Sequence, residues 1–289
     1  MRLLVLGAAG QLGGDLMDAA AASGVEASGV GRAEVDVTDR AALRGFLDAA
    51  GFDVLVNATS YHKTDEVETE PARAMAVNAQ APAVMAEACA ARGARFVHIS
   101  TDYVFGGDLA WTVPLTEADP PAPVNVYGLS KLYGETLAGL SGGDVTVFRV
   151  ASLFGVRGAS GKGGNFVETM LRFGREKGAL KVVEDQVMSP TSTAFVAQAV
   201  LGFLERGGAP GVYHCVNSGA VSWADFARAI VARARVAAEV TGCPTSDWPM
   251  VARRPAWSAL DNARLAAVIG PIPSWGEALD AYLAAKGHV

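Results

Sequence analysis

The chain has 289 residues, 51% of them hydrophobic, and a formal net charge of −6. That length and apolar content suffice for one large core with room for a second lobe, while the negative balance excludes a general nucleic-acid surface, which needs clustered Lys and Arg. Three scattered cysteines, Cys89, Cys215 and Cys243, make no CxxC pair and leave an odd thiol, which fits a reducing compartment and points to the cytoplasm.

The first element is the apolar run Leu3 to Leu6. It faintly imitates a signal peptide, but it stops at Gly7 and is followed by Gln11, Gly13, Gly14 and Asp15, so a buried strand explains it better. No later stretch reaches the roughly 18 uninterrupted apolar residues of a membrane-spanning helix, and a soluble protein without a membrane partner is expected.

The segment Gly7-Ala8-Ala9-Gly10-Gln11-Leu12-Gly13 follows that strand directly and opens a helix predicted over 11–22. Glycines here let the backbone approach a pyrophosphate while the first helical N–H groups point at it. Gly7, Gly10, Gln11, Leu12 and Gly13 are therefore candidate cofactor contacts, although such a run taken alone also describes a bare strand-to-helix turn. At the end of the second strand the sequence reads Val30-Gly31-Arg32, with no carboxylate in place to take a ribose 2′-hydroxyl. Arg32 suits a 2′-phosphate instead, which favours NADPH with NADH still admitted, and a surface arginine of no consequence is the competing reading.

Strands predicted over 54–57, 96–100 and 145–150 alternate with helices predicted over 41–50, 71–92 and 130–140. Alternation of this kind means βαβ units, and hence an α/β fold with a Rossmann-type doubly wound parallel sheet over residues 1–150. Beyond it, Gly-rich loops such as 155–164 mix with helices predicted over 166–177, 193–206 and 223–235. Residues 151–289 are thus expected to form mainly a smaller C-terminal substrate-binding lobe, with some segments returning to the sheet.

Tyr127-Gly128-Leu129-Ser130-Lys131 places a phenol and an amine on one helical face, one turn apart. A tyrosine ordinarily titrates near about 10 and needs a nearby cation to serve at neutral pH, and Lys131 supplies one. A third hydroxyl is expected at the end of the preceding strand, where Ser100 and Thr101 stand; strand alternation lets only one face the cleft.

The run Ser100-Thr101-Asp102-Tyr103-Val104-Phe105 closely resembles the STDYVF segment of the RmlD family, the dTDP-4-dehydrorhamnose reductases, within the extended short-chain dehydrogenase/reductases. The GxxGxxG spacing of Gly7, Gly10 and Gly13 is similar to that superfamily's. Further matches occur in order: Asn57 to Glu70 with Asp65 and Glu68, Tyr127 to Glu135, Gly161-Lys162-Gly163-Gly164-Asn165-Phe166, Asp185-Gln186 with Ser189-Pro190-Thr191, and Arg254 to Asp261 as a closing RPxxSxLD pattern.

The resemblance implies that Thr101 is the active-site hydroxyl with Ser100 packed behind it, that Asp36 and Val37 contact an adenine ring, and that Ala58, Thr59 and Ser60 pass beneath the cofactor's ribose. It implies hydride transfer from NADPH to the C4 ketone of a dTDP-4-keto-6-deoxy sugar, with Tyr127 as proton donor, Thr101 polarising the carbonyl and Lys131 holding the ribose and lowering the tyrosine pKa. Asp102 is expected on a sugar hydroxyl or, equally well, capping a loop amide. Dehydratases of this fold carry Glu where Tyr103 stands, so simple reduction is the economical reading.

Asn165, Phe166 and Arg254 are placed against the nucleotide diphosphate, with a helix cap and a core position as the competing readings of Asn165 and Phe166. One departure matters: the family often has Trp in an Arg-Thr-Ser-Trp segment, whereas here Arg149-Val150-Ala151-Ser152 puts a hydroxyl at Ser152. That keeps other nucleotide sugars in view.

The family's magnesium (Mg2+) dependence is not carried over, because Asp15, Glu184 and Asp185 make no matched set, and no metal is assigned. His62, His98, His214 and His288 lack ligand spacing as well. Homodimers are frequent in this fold, but no interface is legible. A different class of function, an NADP-binding regulatory subunit of the methionine adenosyltransferase type, shares the fold; an intact Tyr127, Lys131 and Thr101 counts against it.

Overall fold

A computed structural model describes residues 1–107, 111–158 and 164–289. Six strands, β1 (Arg2–Leu6), β2 (Glu26–Val30), β3 (Val54–Asn57), β4 (Arg95–Thr101), β5 (Val145–Val150) and β6 (Gly211–His214), form one sheet in the order β6-β5-β4-β3-β1-β2. Every neighbouring pair in it is parallel. The main helices are α1 (Gln11–Ala22), α2 (Arg40–Ala49), α3 (Ala81–Arg92), α4 (Val126–Gly139), α5 (Phe166–Lys177), α6 (Thr193–Glu205), α7 (Trp223–Arg233) and α8 (Trp275–Ala285).

Helices cover both faces of the sheet, which is why β1 and β3 are near-continuous apolar runs. Along β1 successive side chains alternate faces. Leu3 and Val5 join Leu16 of α1 and Val196 and Val200 of α6 on one side, while Leu4 and Leu6 join Leu43 and Leu47 of α2 and Met85 of α3 on the other. The chain leaves β1 toward β2 on one flank and returns to β3 on the opposite flank. In open α/β sheets such a switch point opens a crevice beyond the carboxyl ends of the strands, and the candidate site lies there.

Two expectations change. The helix predicted over 71–92 is interrupted: Pro71–Met75 is followed by a π-helical turn, Ala76–Gln80, before α3 begins. Pro82 has no N–H to continue the ladder, and the wider turn brings Asn78 inward, where its side chain donates to Tyr61 O (3.0 Å) and Ser130 Oγ (3.0 Å) and accepts from Tyr61 N (2.9 Å). Helix α4 starts at Val126, not at 130, because Asn125 caps it by accepting from Gly128 N at 2.8 Å. Tyr127 thus sits in the first turn, and the helix start is tied to Glu68, which accepts from Val126 N at 2.7 Å.

The smaller lobe has its own core of Val167, Leu171, Phe226, Ile230 and Leu279. It is backed by a parallel pair, Ala179–Val183 with Glu239–Cys243. Side-chain caps at Asn165, Ser222 and Ser274 fix where its helices begin. After α5 the chain returns to the large sheet, with α6 packed on α1 and β6 added beside β5. Among the described residues no helix is long and apolar enough to cross a membrane.

Candidate active site

A cleft of about 1210 Å³ opens at the switch point between the sheet and the smaller lobe. Its floor is the glycine turn. Gly7 adopts φ +86, and a Cβ on Gly13 would stand 2.1 Å from Gly7 O, so neither position admits a side chain. Gly10 offers α1 no side-chain cap and no acidic residue stands in its first turn, which leaves its first N–H groups available to an anion. Gln11 Oε1, also at the cleft, is buried without a partner. The free N–H groups of this helix start fit the pyrophosphate of a dinucleotide.

All the candidate residues singled out in the sequence line this cleft except Arg254. At the rim, Arg32 is 77% exposed in its side chain and lies 3.3 Å from Asp36. Asp36 accepts from Thr38 N (2.9 Å) and Thr38 Oγ1 (2.7 Å), which hold its carboxyl below the usual range. Just after β2 the chain turns back so that Glu34 Oε2 accepts from Gly31 N at 2.8 Å, and Glu34 does not line the cleft.

Thr101, at the last position of β4, donates to Asp102 Oδ1 (3.0 Å) and accepts from Tyr103 N (3.2 Å). The Tyr127 hydroxyl faces the Thr101 and Ser60 hydroxyls, which favour its ionised form. Burial pushes this phenol up to about 12, opposed by those hydroxyls, so its net direction is opposite to the cation-lowered tyrosine expected from spacing. Lys131 is 1% exposed and donates to Ile99 O at 2.6 Å. Burial brings its amine down to about 8, against the pull of Glu135. Ser100, which also borders the cleft, donates to Glu135.

On the substrate side the outcomes differ residue by residue. Asp102 is 2% exposed, and its carboxylate accepts from Thr101 Oγ1 and from Ser258 Oγ (2.6 Å). It works as an internal strut between β4 and the closing segment, and burial raises it to about 6. Tyr103 meets Tyr127 edge-on with centroids 5.8 Å apart. Ser152 holds φ +43, a conformation non-glycine residues rarely adopt, and faces the cleft. Asn165 accepts from Glu168 N (3.1 Å) and donates to Gly155 O (3.0 Å) and Tyr282 Oη (3.1 Å), so its amide is spent as a cap and a loop clamp.

Phe166 packs on Trp223 (4.6 Å) and stacks on Phe226 (5.8 Å), and the three rings form an aromatic wall of the cleft. Trp223 and Phe226 were not anticipated from the sequence; their spacing at the start of a helix was the available signal. Arg254 does not line this cleft directly: it pairs with Asp65 at 3.0 Å and lines a second cavity of about 410 Å³, while its charge still acts on the cleft residue Tyr103. Gly161, Lys162 and Gly163 lie outside the described residues. Among the described residues no group of three or more His, Cys, Asp or Glu is placed to hold a metal ion.

Comparison with known proteins adds an independent line. The model of the RmlD substrate binding domain matches residues 1–287. A dTDP-4-dehydrorhamnose reductase of Mycolicibacterium smegmatis is 40% identical over 286 residues, covering 98% of this chain and 85% of that protein. A crystal structure of a dTDP-4-dehydrorhamnose reductase from Clostridium acetobutylicum superposes with a TM-score of 0.91 at 34% identity, covering 99% of each chain. The enzyme of that name from Bacillus anthracis, solved in complex with NADP, gives a TM-score of 0.91 at 30% identity and covers 98% of this chain and 99% of its own. With a glycine turn, a Thr-Tyr-Lys constellation and these full-length matches, the chain belongs to the RmlD family.

Proposed function

We propose that this protein is an NADPH-dependent reductase that converts the C4 ketone of a dTDP-4-keto-6-deoxy sugar, dTDP-4-dehydrorhamnose, to the alcohol. The observation that carries the reading is the meeting of Thr101, Tyr127 and Lys131 in one cleft with the glycine turn of α1. When bound, the nicotinamide supplies the hydride. The chain supplies position and a proton.

Tyr127 donates the proton to the ketone oxygen. Burial keeps its phenol protonated at neutral pH, which is the state reduction requires. The Thr101 hydroxyl, fixed by Asp102 and the Tyr103 amide, polarises the same oxygen. Lys131 holds the nicotinamide ribose, and Gly7, Gly10, Gln11, Leu12 and Gly13 hold the pyrophosphate, with Ala58, Thr59 and Ser60 under the ribose and Asp36 and Val37 at the adenine. Ser152 and the Phe166, Trp223 and Phe226 wall take the sugar nucleotide. Residues 151–289 contribute mainly this substrate side, apart from α6 and β6, which belong to the nucleotide sheet. A binding-only regulatory subunit would have no use for a buried phenol in this company.

Two results are expected. The value of kcat/KM for the keto-sugar, followed through NADPH consumption, falls as pH rises through about 8, because Lys131 is cationic below that point and neutral above it, while Tyr127 stays protonated throughout. A profile flat across that range contradicts the role of Lys131. Arg32→Ala raises KM for NADPH roughly tenfold and leaves KM for NADH nearly unchanged, the loss of one charge-assisted contact to the 2′-phosphate. An equal effect on both cofactors removes Arg32 from that phosphate.

A further inference from the structure

Behind the cleft, three side chains stand in a row: Asn57 at the end of β3, His98 within β4 and Lys131 on α4. Asn57 and His98 are fully buried, at 0% exposure, and Lys131 is 1% exposed. Asn57 Nδ2 lies 3.2 Å from His98 Nδ1, and His98 Nε2 lies 3.4 Å from Lys131 Nζ.

The direction of each contact follows from Thr59. Its backbone N–H can only donate, and it donates to Asn57 Oδ1 at 3.0 Å; its hydroxyl adds a second bond to the same oxygen at 2.6 Å. That fixes the amide with Nδ2 toward the imidazole. His98 Nδ1 must then accept, and the ring, kept uncharged by burial and by Lys131, carries its proton on Nε2. This N–H is aimed at Lys131 Nζ, which already donates to Ile99 O. An N–H facing an ammonium disfavours it, whereas a neutral amine accepts the bond.

We propose that His98 is a positioning residue for Lys131: Asn57 fixes its Nε2–H tautomer, and that N–H biases the lysine toward the neutral amine and so sets the pH at which the site loses its cation. The proposal rests on the reading of Lys131 as the cation of the site. The other charged or titratable groups around the lysine are Tyr127 one turn earlier on α4, Glu135 one turn later, and Arg149 of β5, which is bound to Glu135 at 2.7 Å and offsets its pull. Asn57 of β3 and Asn78 of the π-helical turn, the latter bonded to Ser130 at 3.0 Å, do not titrate. His98 is thus the titratable neighbour that β4 sets directly on Nζ.

The test combines a spectrum with a pH profile. Long-range 1H–15N spectra of the 15N-histidine protein, with His98 assigned by its loss in His98→Phe, are expected to show a neutral Nε2–H ring at neutral pH. Asn57→Asp offers His98 Nδ1 only acceptors, drawing the proton to Nδ1 and leaving Nε2 to accept from the ammonium. The alkaline limb of kcat/KM is then expected to move up by roughly one pH unit or more. Placed in the His98→Phe background, the same Asn57→Asp change keeps its added charge but loses the tautomer, and most of the shift is expected to vanish.

A wild-type Nδ1–H ring or an imidazolium overturns the proposal, and so does an equal shift in both backgrounds. If the wild type reduced no keto-sugar, the functional reading would fall, and the same Asn57→Asp comparison would be read instead from the 15N titration of Lys131 Nζ in the two backgrounds.

Discussion

Tyr127→Phe is expected to lower kcat roughly a thousandfold, within the range general-acid groups supply, while NADPH still binds. The phenol oxygen is what the rest of the constellation converges on: the Thr101 and Ser60 hydroxyls face it. The ring itself is held independently, edge-on against Tyr103, so the variant keeps its packing and loses only the proton. Neither neighbour is an adequate substitute. The Tyr103 phenol is pushed up further still by burial and the nearby Asp102 carboxylate, and the serine and threonine hydroxyls are much weaker acids. Single-turnover kinetics alongside NADPH fluorescence titration separate the two effects. Retention of more than about a tenth of the wild-type rate would assign the proton donor elsewhere.

The second large effect is on stability. Glu135 and Arg149 form a buried ion pair under the catalytic strand, with side chains 6% and 5% exposed and Nη2 to Oε2 at 2.7 Å. The Arg149 Nε contacts both carboxylate oxygens, at 3.1 and 3.2 Å, and the guanidinium lies 5.1 Å from the Phe105 ring centroid. Arg149→Met leaves a carboxylate in the interior without its cation, which costs about 3–5 kcal/mol. For a chain of this size that lowers Tm by roughly 10 °C. Adding Glu135→Leu is expected to recover much of the loss, because removing both charges spares the desolvation cost. Urea denaturation of the two variants checks this, and a loss below about 1 kcal/mol for Arg149→Met would show that the pair is not an obligate partnership.

What was legible in the sequence was what is local. The β1 strand, the glycine turn and α1 read correctly because an apolar run, the glycines and a breaker-free stretch are contiguous. Helix α5 read to its residue bounds because Asn165 caps one end and Gly178, at φ +66, closes the other. The Tyr127 and Lys131 pair was legible from its spacing together with its place downstream of the glycine turn.

What escaped depends on chain reversal or on distant partners. Glu34 reaches Gly31 only because the loop after β2 folds back, so the run Val30 to Arg32 gave no sign of it. For Asp102 the sequence offers a sugar contact or a loop cap, and its bond to Ser258, 156 residues away, is not legible there. Arg254 carried the right chemistry for a diphosphate, but its bond to Asp65, 189 residues earlier, was not legible. The break at Ala76–Gln80 was hidden because its alanines and Asn78 suit a continuous helix, and the π-helical turn is explained by the contacts Asn78 makes with Tyr61 and Ser130.

The measurement that bears most directly on the central claim uses NADPH deuterated at the transferable C4 position of its nicotinamide, with the wild-type protein and dTDP-4-dehydrorhamnose. Deuterium is expected at C4 of the sugar in the product, read by mass spectrometry and proton NMR, in step with NADPH consumed. Cofactor that binds without being oxidised, or product whose C4 hydrogen comes from solvent, would contradict that claim.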